Sequence, residues 1–201
     1  MMPSRRTLIF ALSVMAIALA TGAAALWLAP GSGVRSSGAP LIGGSFTLTD
    51  QSGNRVTDKT WPSKYLLVLF GYTYCPDVCP SELQVMSAAL DQLGPDAEKI
   101  QPLFITIDPV RDTPEVLKDY VGNFSSRLVG LTGSDKDITD VAGKYRVYYE
   151  KAPASKNTSD YLMDHSTILY LMRPDGTFLK HFTYGTDPKA LADGIRRAIE
   201  T

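Results

Sequence analysis

Apolar positions along this chain change their spacing from segment to segment, and each change predicts an element. Phe46 to Asp50 and Arg55 to Asp58 flank Gln51-Ser52-Gly53-Asn54, a pattern that predicts a β-hairpin with Gly53 supplying the positive φ of its turn. Leu66-Leu67-Val68-Leu69-Phe70 and Leu103-Phe104-Ile105-Thr106-Ile107 are short continuous apolar runs. Runs of this kind fit parallel strands buried on both faces. Between them Leu83, Met86, Leu90 and Leu93 recur at spacings of three and four. That is one apolar stripe on a helix, which Gly94-Pro95 stops. Strand, helix and strand together make a right-handed crossover unit.

Further on, Thr113 caps a predicted helix over Pro114 to Val121, where a proline suits the first turn. Leu128 to Leu131 reads as a short strand and Asp135 to Tyr145 as a third helix. Ile168 to Met172 and Thr177 to Phe182 form a hairpin through Pro174-Asp175-Gly176. Leu191, Ile195 and Ile199 place an amphipathic helix at the C-terminus. The order is hairpin, βαβ, helices, antiparallel hairpin, helix. It predicts a thioredoxin-like α/β domain with an N-terminal β-hairpin.

Thr7 to Ala29 carries no charge and follows Arg5-Arg6. At helical rise it is roughly 35 Å long, enough to cross a bilayer with some tilt. The positive-inside rule leaves residues 1–6 in the cytoplasm and carries the rest across. Residues 7–29 are therefore expected to be one N-terminal transmembrane helix, with Trp27 at the interface. A cleavable signal peptide ending near Ala23-Ala24-Ala25 is the competing reading. Ser4-Arg5-Arg6 is a weak match to a twin-arginine signal. Residues 30–40, rich in Gly, Ser and Pro, read as a flexible linker. Residues 41–201 are one domain by size. The chain has 20 Lys and Arg against 21 Asp and Glu. Arg5, Arg6 and Arg35 all precede Leu41, so the domain is mildly acidic, which argues against a nucleic-acid partner.

The chemistry centres on Cys75-Pro76-Asp77-Val78-Cys79-Pro80, the chain's two cysteines, at the carboxyl end of the first central strand. Open α/β sheets place their sites at that edge. A helix beginning at Pro76 would set Pro80 against an earlier carbonyl. A start at Pro80 is expected instead, with Cys79 as cap and Glu82 three residues in. The helix's positive end then lowers the pKa of both thiols. A structural disulfide closing so short a loop would stabilise by roughly 2 kcal/mol, which a domain with this much apolar sequence hardly needs. Two readings remain open: a redox couple, and a clamp for a soft metal. His165, in Tyr161-Leu162-Met163-Asp164-His165-Ser166, precedes the hairpin that lies beside the first central strand in thioredoxin-like folds. A loop there can bring its imidazole to the thiols. Two sulfurs and one nitrogen suit Cu(I), tolerate Cu(II) and can hold zinc. Asp164 can tune the imidazole from behind or be a solvated carboxylate. Met163 is read as packing, and His181 as an exposed strand residue without a role.

Phe70-Gly71-Tyr72-Thr73-Tyr74-Cys75-Pro76-Asp77-Val78-Cys79-Pro80 resembles the metal loop of the Sco/SenC family of cytochrome oxidase assembly proteins. Gly43 to Asp50, Asp108-Pro109-Val110-Arg111-Asp112-Thr113-Pro114 and Tyr161 to Ser166 are similar to that family's segments as well, in the same order. The resemblance implies a membrane-tethered thioredoxin-like domain facing the periplasm from a bacterial inner membrane. It implies one copper ion per chain on Cys75, Cys79 and His165. It also implies a part in building the binuclear copper centre of cytochrome c oxidase subunit 2, supplied by a copper donor or a thiol reductant, with the chain a monomer. Turn chemistry alone accounts for most of the Asp108 to Pro114 motif. Two alternatives differ in class. A membrane-anchored thiol–disulfide oxidoreductase would use Cys75 and Cys79 as a redox-active pair without needing His165. A peroxidase fits the closely spaced, proline-flanked pair poorly.

Overall fold

The computed structural model describes residues 42–152 and 161–200. The expected anchor over 7–29 and linker over 30–40 lie outside them. Among the described residues no helix is long and apolar enough to cross a membrane.

Strands β1 (Thr47–Asp50) and β2 (Arg55–Thr57) form the first hairpin, with Gly53 at φ 83° in its turn. The crossover unit follows as strand β3 (Tyr65–Gly71), helix α1 (Val78–Leu93), a 3-10 turn (Gly94–Lys99) and strand β4 (Ile100–Thr106). Helix α2 (Pro114–Gly122), strand β5 (Val129–Thr132) and helix α3 (Asp135–Tyr145) come next. Two three-residue strands, β6 (Tyr149–Lys151) and β7 (Met163–His165), precede the closing hairpin of β8 (Ile168–Met172) and β9 (Phe178–Thr183). Helix α4 (Pro188–Ile199) ends the described chain.

Seven strands form one sheet in the order β2-β1-β5-β4-β3-β8-β9, and β6 pairs with β7 apart from it. β3, β4 and β5 are parallel, and β8 runs antiparallel to β3. The continuous apolar runs are explained by two faces that are both covered. Leu66, Val68 and Phe70 of β3 pack with Ile138, Val141 and Tyr145 of α3 on one side. Leu67 and Leu69 pack with Leu83 and Met86 of α1 and Leu191 and Ile195 of α4 on the other. β3 is buried along nearly its whole length, so its carboxyl end projects the next residues straight into a site.

Candidate metal centre

Helix α1 begins at Val78, two residues before the expected start, with Asp77 rather than Cys79 at its N-cap. Pro80 is thus the third helical residue. The first four N–H groups of a helix have no partner within it, so a proline there breaks no hydrogen bond. Cys79 lies inside the first turn, where its own unpaired N–H donates to Cys75 Sγ at 3.4 Å. Both cysteines are free thiols; Cys75 is partly exposed and Cys79 is 1% exposed.

His165 arrives by register. β8 pairs antiparallel with β3 through Leu69↔Leu169, so the residues entering β8 meet those leaving β3. Contrary to the expected loop, His165 is the last residue of β7. Its Nε2 stands 3.5 Å from Cys79 Sγ, across 86 positions of sequence. Nδ1 lies 3.1 Å from the Ser166 carbonyl. A carbonyl only accepts, so Nδ1 carries a proton, and Nε2 is the ring nitrogen that faces the thiols. That bond orients the ring from behind, and Asp164, on the exposed side of β7, does not. Met163 is buried in the core, and its N–H donates to the Tyr72 hydroxyl at 3.1 Å. His181 is exposed on β9.

The two thiols are unequal, where the expectation was that both would be acidified. Cys75 is held far below the ordinary thiol range, chiefly by a hydrogen bond with Cys79. His165 and the backbone N–H groups of Cys79 and Asp77 assist, against the effect of burial. Cys79 is pushed strongly up, first by that same bond to Cys75 and then by burial. The pocket favours loss of the proton at Cys75 and its retention at Cys79. Burial and both sulfurs also raise the pKa of the Tyr72 phenol.

Among the described residues no three thiol, imidazole or carboxylate side chains stand ready-made as a metal cage. The trio is brought together instead through Cys79, whose Sγ stands 3.5 Å from His165 Nε2 and whose N–H donates to Cys75 Sγ at 3.4 Å. Its size nevertheless fits an ion: two ligands, one sulfur and one nitrogen, on a tetrahedral zinc-type centre stand about 3.5 Å apart. Replacing thiol protons by metal would therefore need little movement of Cys79 and His165. A cleft of about 240 Å³ leads to the group, lined by Tyr72, Cys75, Pro76, Leu162 and His165.

Sequence reasoning left the Asp108 to Pro114 motif as turn chemistry, and its side chains do more. Asp112, fully buried, accepts from Thr73 N–H at 3.0 Å, Thr73 Oγ1 at 2.6 Å and Thr106 Oγ1 at 2.6 Å, which ties the loop between β3 and Cys75 to the end of β4. Burial raises its pKa while those bonds oppose the rise. Asp108 and Arg111 form an ion pair, and Tyr161 Oη donates to Asp108 at 2.7 Å. Two carboxylates and a guanidinium within five residues, beside a buried strand, were the available signal.

A family model described as SCO1/SenC matches residues 34–200. The human mitochondrial SCO1 homologue is 48% identical over 153 residues, covering 74% of this chain and 50% of that protein. The chain thus spans about half the length of the first curated relatives it matches. The structure of Bradyrhizobium japonicum ScoI with copper bound is 44% identical, covers 78% of this chain and 99% of that one, and superimposes with a TM-score of 0.71. BsSco, a protein with a disulfide switch and a member of the Sco family of cytochrome c oxidase assembly proteins, is 25% identical. It covers 80% of this chain and 94% of its own, with a TM-score of 0.61. The fold is the thioredoxin-like α/β fold of these structures.

Proposed function

Because this chain belongs to the SCO1/SenC family, we propose that Cys75, Cys79 and His165 hold one copper ion as cargo for cytochrome c oxidase assembly. The observation that carries the proposal is the approach of His165 Nε2 to Cys79 Sγ at 3.5 Å, with Cys75 Sγ accepting from the Cys79 N–H at 3.4 Å. The donor chemistry fits: two soft sulfurs and one imidazole favour copper over harder ions. Cys75 brings a thiolate without further loss of a proton, Cys79 loses its proton when metal enters, and the Ser166 carbonyl keeps His165 turned inward. A copper-bound relative and a relative from a family of oxidase assembly proteins support the same reading. The recipient in this proposal is the binuclear copper centre of oxidase subunit 2. The apolar segment 7–29 and its preceding arginines support a tether in the inner membrane with the domain in the periplasm.

Thiol–disulfide exchange is the second reading, favoured by the unequal acidity of the pair. Cys75 thiolate would attack a partner disulfide and release one partner thiolate. Cys79, on giving up its proton, would then displace the second, leaving a Cys75–Cys79 disulfide that an external thiol reductant must restore. One substitution separates the two. His165→Ala in the full-length chain is expected to weaken copper binding by at least about 10–100-fold, the scale of losing an orienting group alone. The reduction potential of the cysteine pair should stay near the parent's. Parent-like Cu(I) and Cu(II) affinity in this variant would overturn the three-ligand proposal. Catalytic turnover of a disulfide substrate without added copper would favour the second reading.

A further inference from the structure

The segment from Asp108 to Asp112 reaches both halves of the site, and Arg111 makes the longer reach. Its Nε pairs with the Asp108 carboxylate, and its Nη1 donates to the Tyr161 carbonyl at 2.9 Å. Its Cζ lies 3.8 Å from the centroid of the Tyr161 ring, 4.8 Å from that of Tyr74 and 5.8 Å from that of Tyr72. The other oxygen of Asp108 takes the Tyr161 hydroxyl at 2.7 Å, so Tyr161 is gripped at its carbonyl, ring and phenol. Nη2 is buried without a hydrogen-bond partner. That cost is offset by the cation–π contacts, which the planar guanidinium makes with its face while its edge bonds Asp108 and the Tyr161 carbonyl.

Tyr161 lies four residues before His165, about 13 Å of extended chain. The intervening strand is held at Met163 by Tyr72. Its far end is held by Ser166 N–H on the Tyr148 carbonyl at 3.0 Å and by Tyr148 N–H on Ser166 Oγ at 3.3 Å. The near end is paired with β6 and held by Ala152 N–H on the Leu162 carbonyl at 2.9 Å and by Lys151 Nζ 4.3 Å from the Tyr161 ring centroid. The Arg111 grip is the contact that ties it to the segment carrying Asp112 and so to the cysteine side of the site. We infer that Arg111 is a positioning residue: by clamping Tyr161 against Asp108 it fixes the upstream end of β7 and so sets how His165 meets Cys79. The inference rests on the proposed three-ligand site.

The test is a double-mutant cycle in the full-length, reduced chain, using Arg111→Met, His165→Ala and both together. Cu(I) affinity is read by competition with a chromophoric chelator, and Met163 amide hydrogen exchange is read without metal. Arg111→Met is expected to weaken Cu(I) binding about tenfold and to speed Met163 exchange. In the His165→Ala background it should cost nothing further, because its effect passes through the absent ring. Parent affinity in Arg111→Met, or losses that add in the double variant, would overturn the inference while His165→Ala still loses copper. Parent affinity in His165→Ala would instead overturn the three-ligand proposal and this inference with it. If Arg111→Met does not fold, Arg111→Gln takes its place in the same cycle. The glutamine amide reaches no further than Nε of arginine, so it can bond Asp108 but not the Tyr161 carbonyl, and its outcomes are read identically.

Discussion

At the scale of single residues, the site is an acid–base pair made of two identical side chains. What separates Cys75 from Cys79 is position about the first turn of α1. Cys75 stands outside the helix and collects hydrogen bonds, while Cys79 stands inside it and is buried. The sign of the pH effect follows. A thiol whose folded pKa is depressed adds stability that is complete above the ordinary thiol range, near about 8.5, and fades as pH falls through the folded value. Cys75 should therefore be largely thiolate at pH 6 and react with iodoacetamide there, while Cys79 stays protected. Cys79→Ala removes the largest cause of the depression, so the midpoint of Cys75 alkylation against pH should move up toward that of a free thiol. A midpoint that does not move would show that the bond from Cys79 is not what acidifies Cys75.

Between elements, the critical contact is where β3 ends and α1 begins. A Cβ on Gly71 would lie 2.8 Å from Phe104 Cε2 and 2.9 Å from Cys79 Sγ, closer than real Cβ atoms approach. The glycine is required for space, since its backbone is not in the left-handed region. Gly71→Ala should cost about 1–3 kcal/mol through overpacking of the core. It should also push Cys79 away from His165, weakening copper binding about tenfold or more, a loss comparable to that of an orienting group. Denaturant unfolding and chelator competition check the two effects. An alanine variant with parent stability and parent affinity would refute the contact. The same elements show what sequence patterns can carry. The apolar stripe of α1, the two-sided burial of β3 and β4, and the Asp135–Tyr145 helix were legible because their periods repeat over several turns or residues. The start of α1 was missed by two residues because a proline is tolerated anywhere among the unpaired N–H groups of a first turn. β6 and β7 escaped because three residues show no period. That His165 would approach the cysteines was legible from the order of the elements. The work of Asp112 and Asp108 was not, since their partners Thr73 and Tyr161 lie 39 and 53 positions away.

Across the whole molecule, the site joins two parts of the chain that the fold brings together only when the sheet is complete. Cys75 and Cys79 come from the first crossover, and His165 enters through the closing hairpin, so their meeting depends on β8 pairing with β3. Cys79 and Met163 also belong to the core on the α3 side of the sheet, which couples the site to packing well beyond it. An ion held by all three ligands would bind the folded chain far better than the unfolded one and must raise its stability by mass action. At free Cu(I) 100 times the dissociation constant the gain is about 2.7 kcal/mol, less whatever the unfolded thiols retain. For a domain of this size that corresponds to a rise in melting temperature of roughly 5–10 °C. The reduced full-length chain should show the rise, and its size should grow with free copper. Oxidation to a Cys75–Cys79 disulfide should abolish it, because neither sulfur is then a thiolate ligand. His165→Ala should shrink it, while a chain acting only by thiol–disulfide exchange would melt at one temperature with or without the metal. Differential scanning calorimetry of the reduced and oxidised forms, with the free metal buffered, decides between those outcomes.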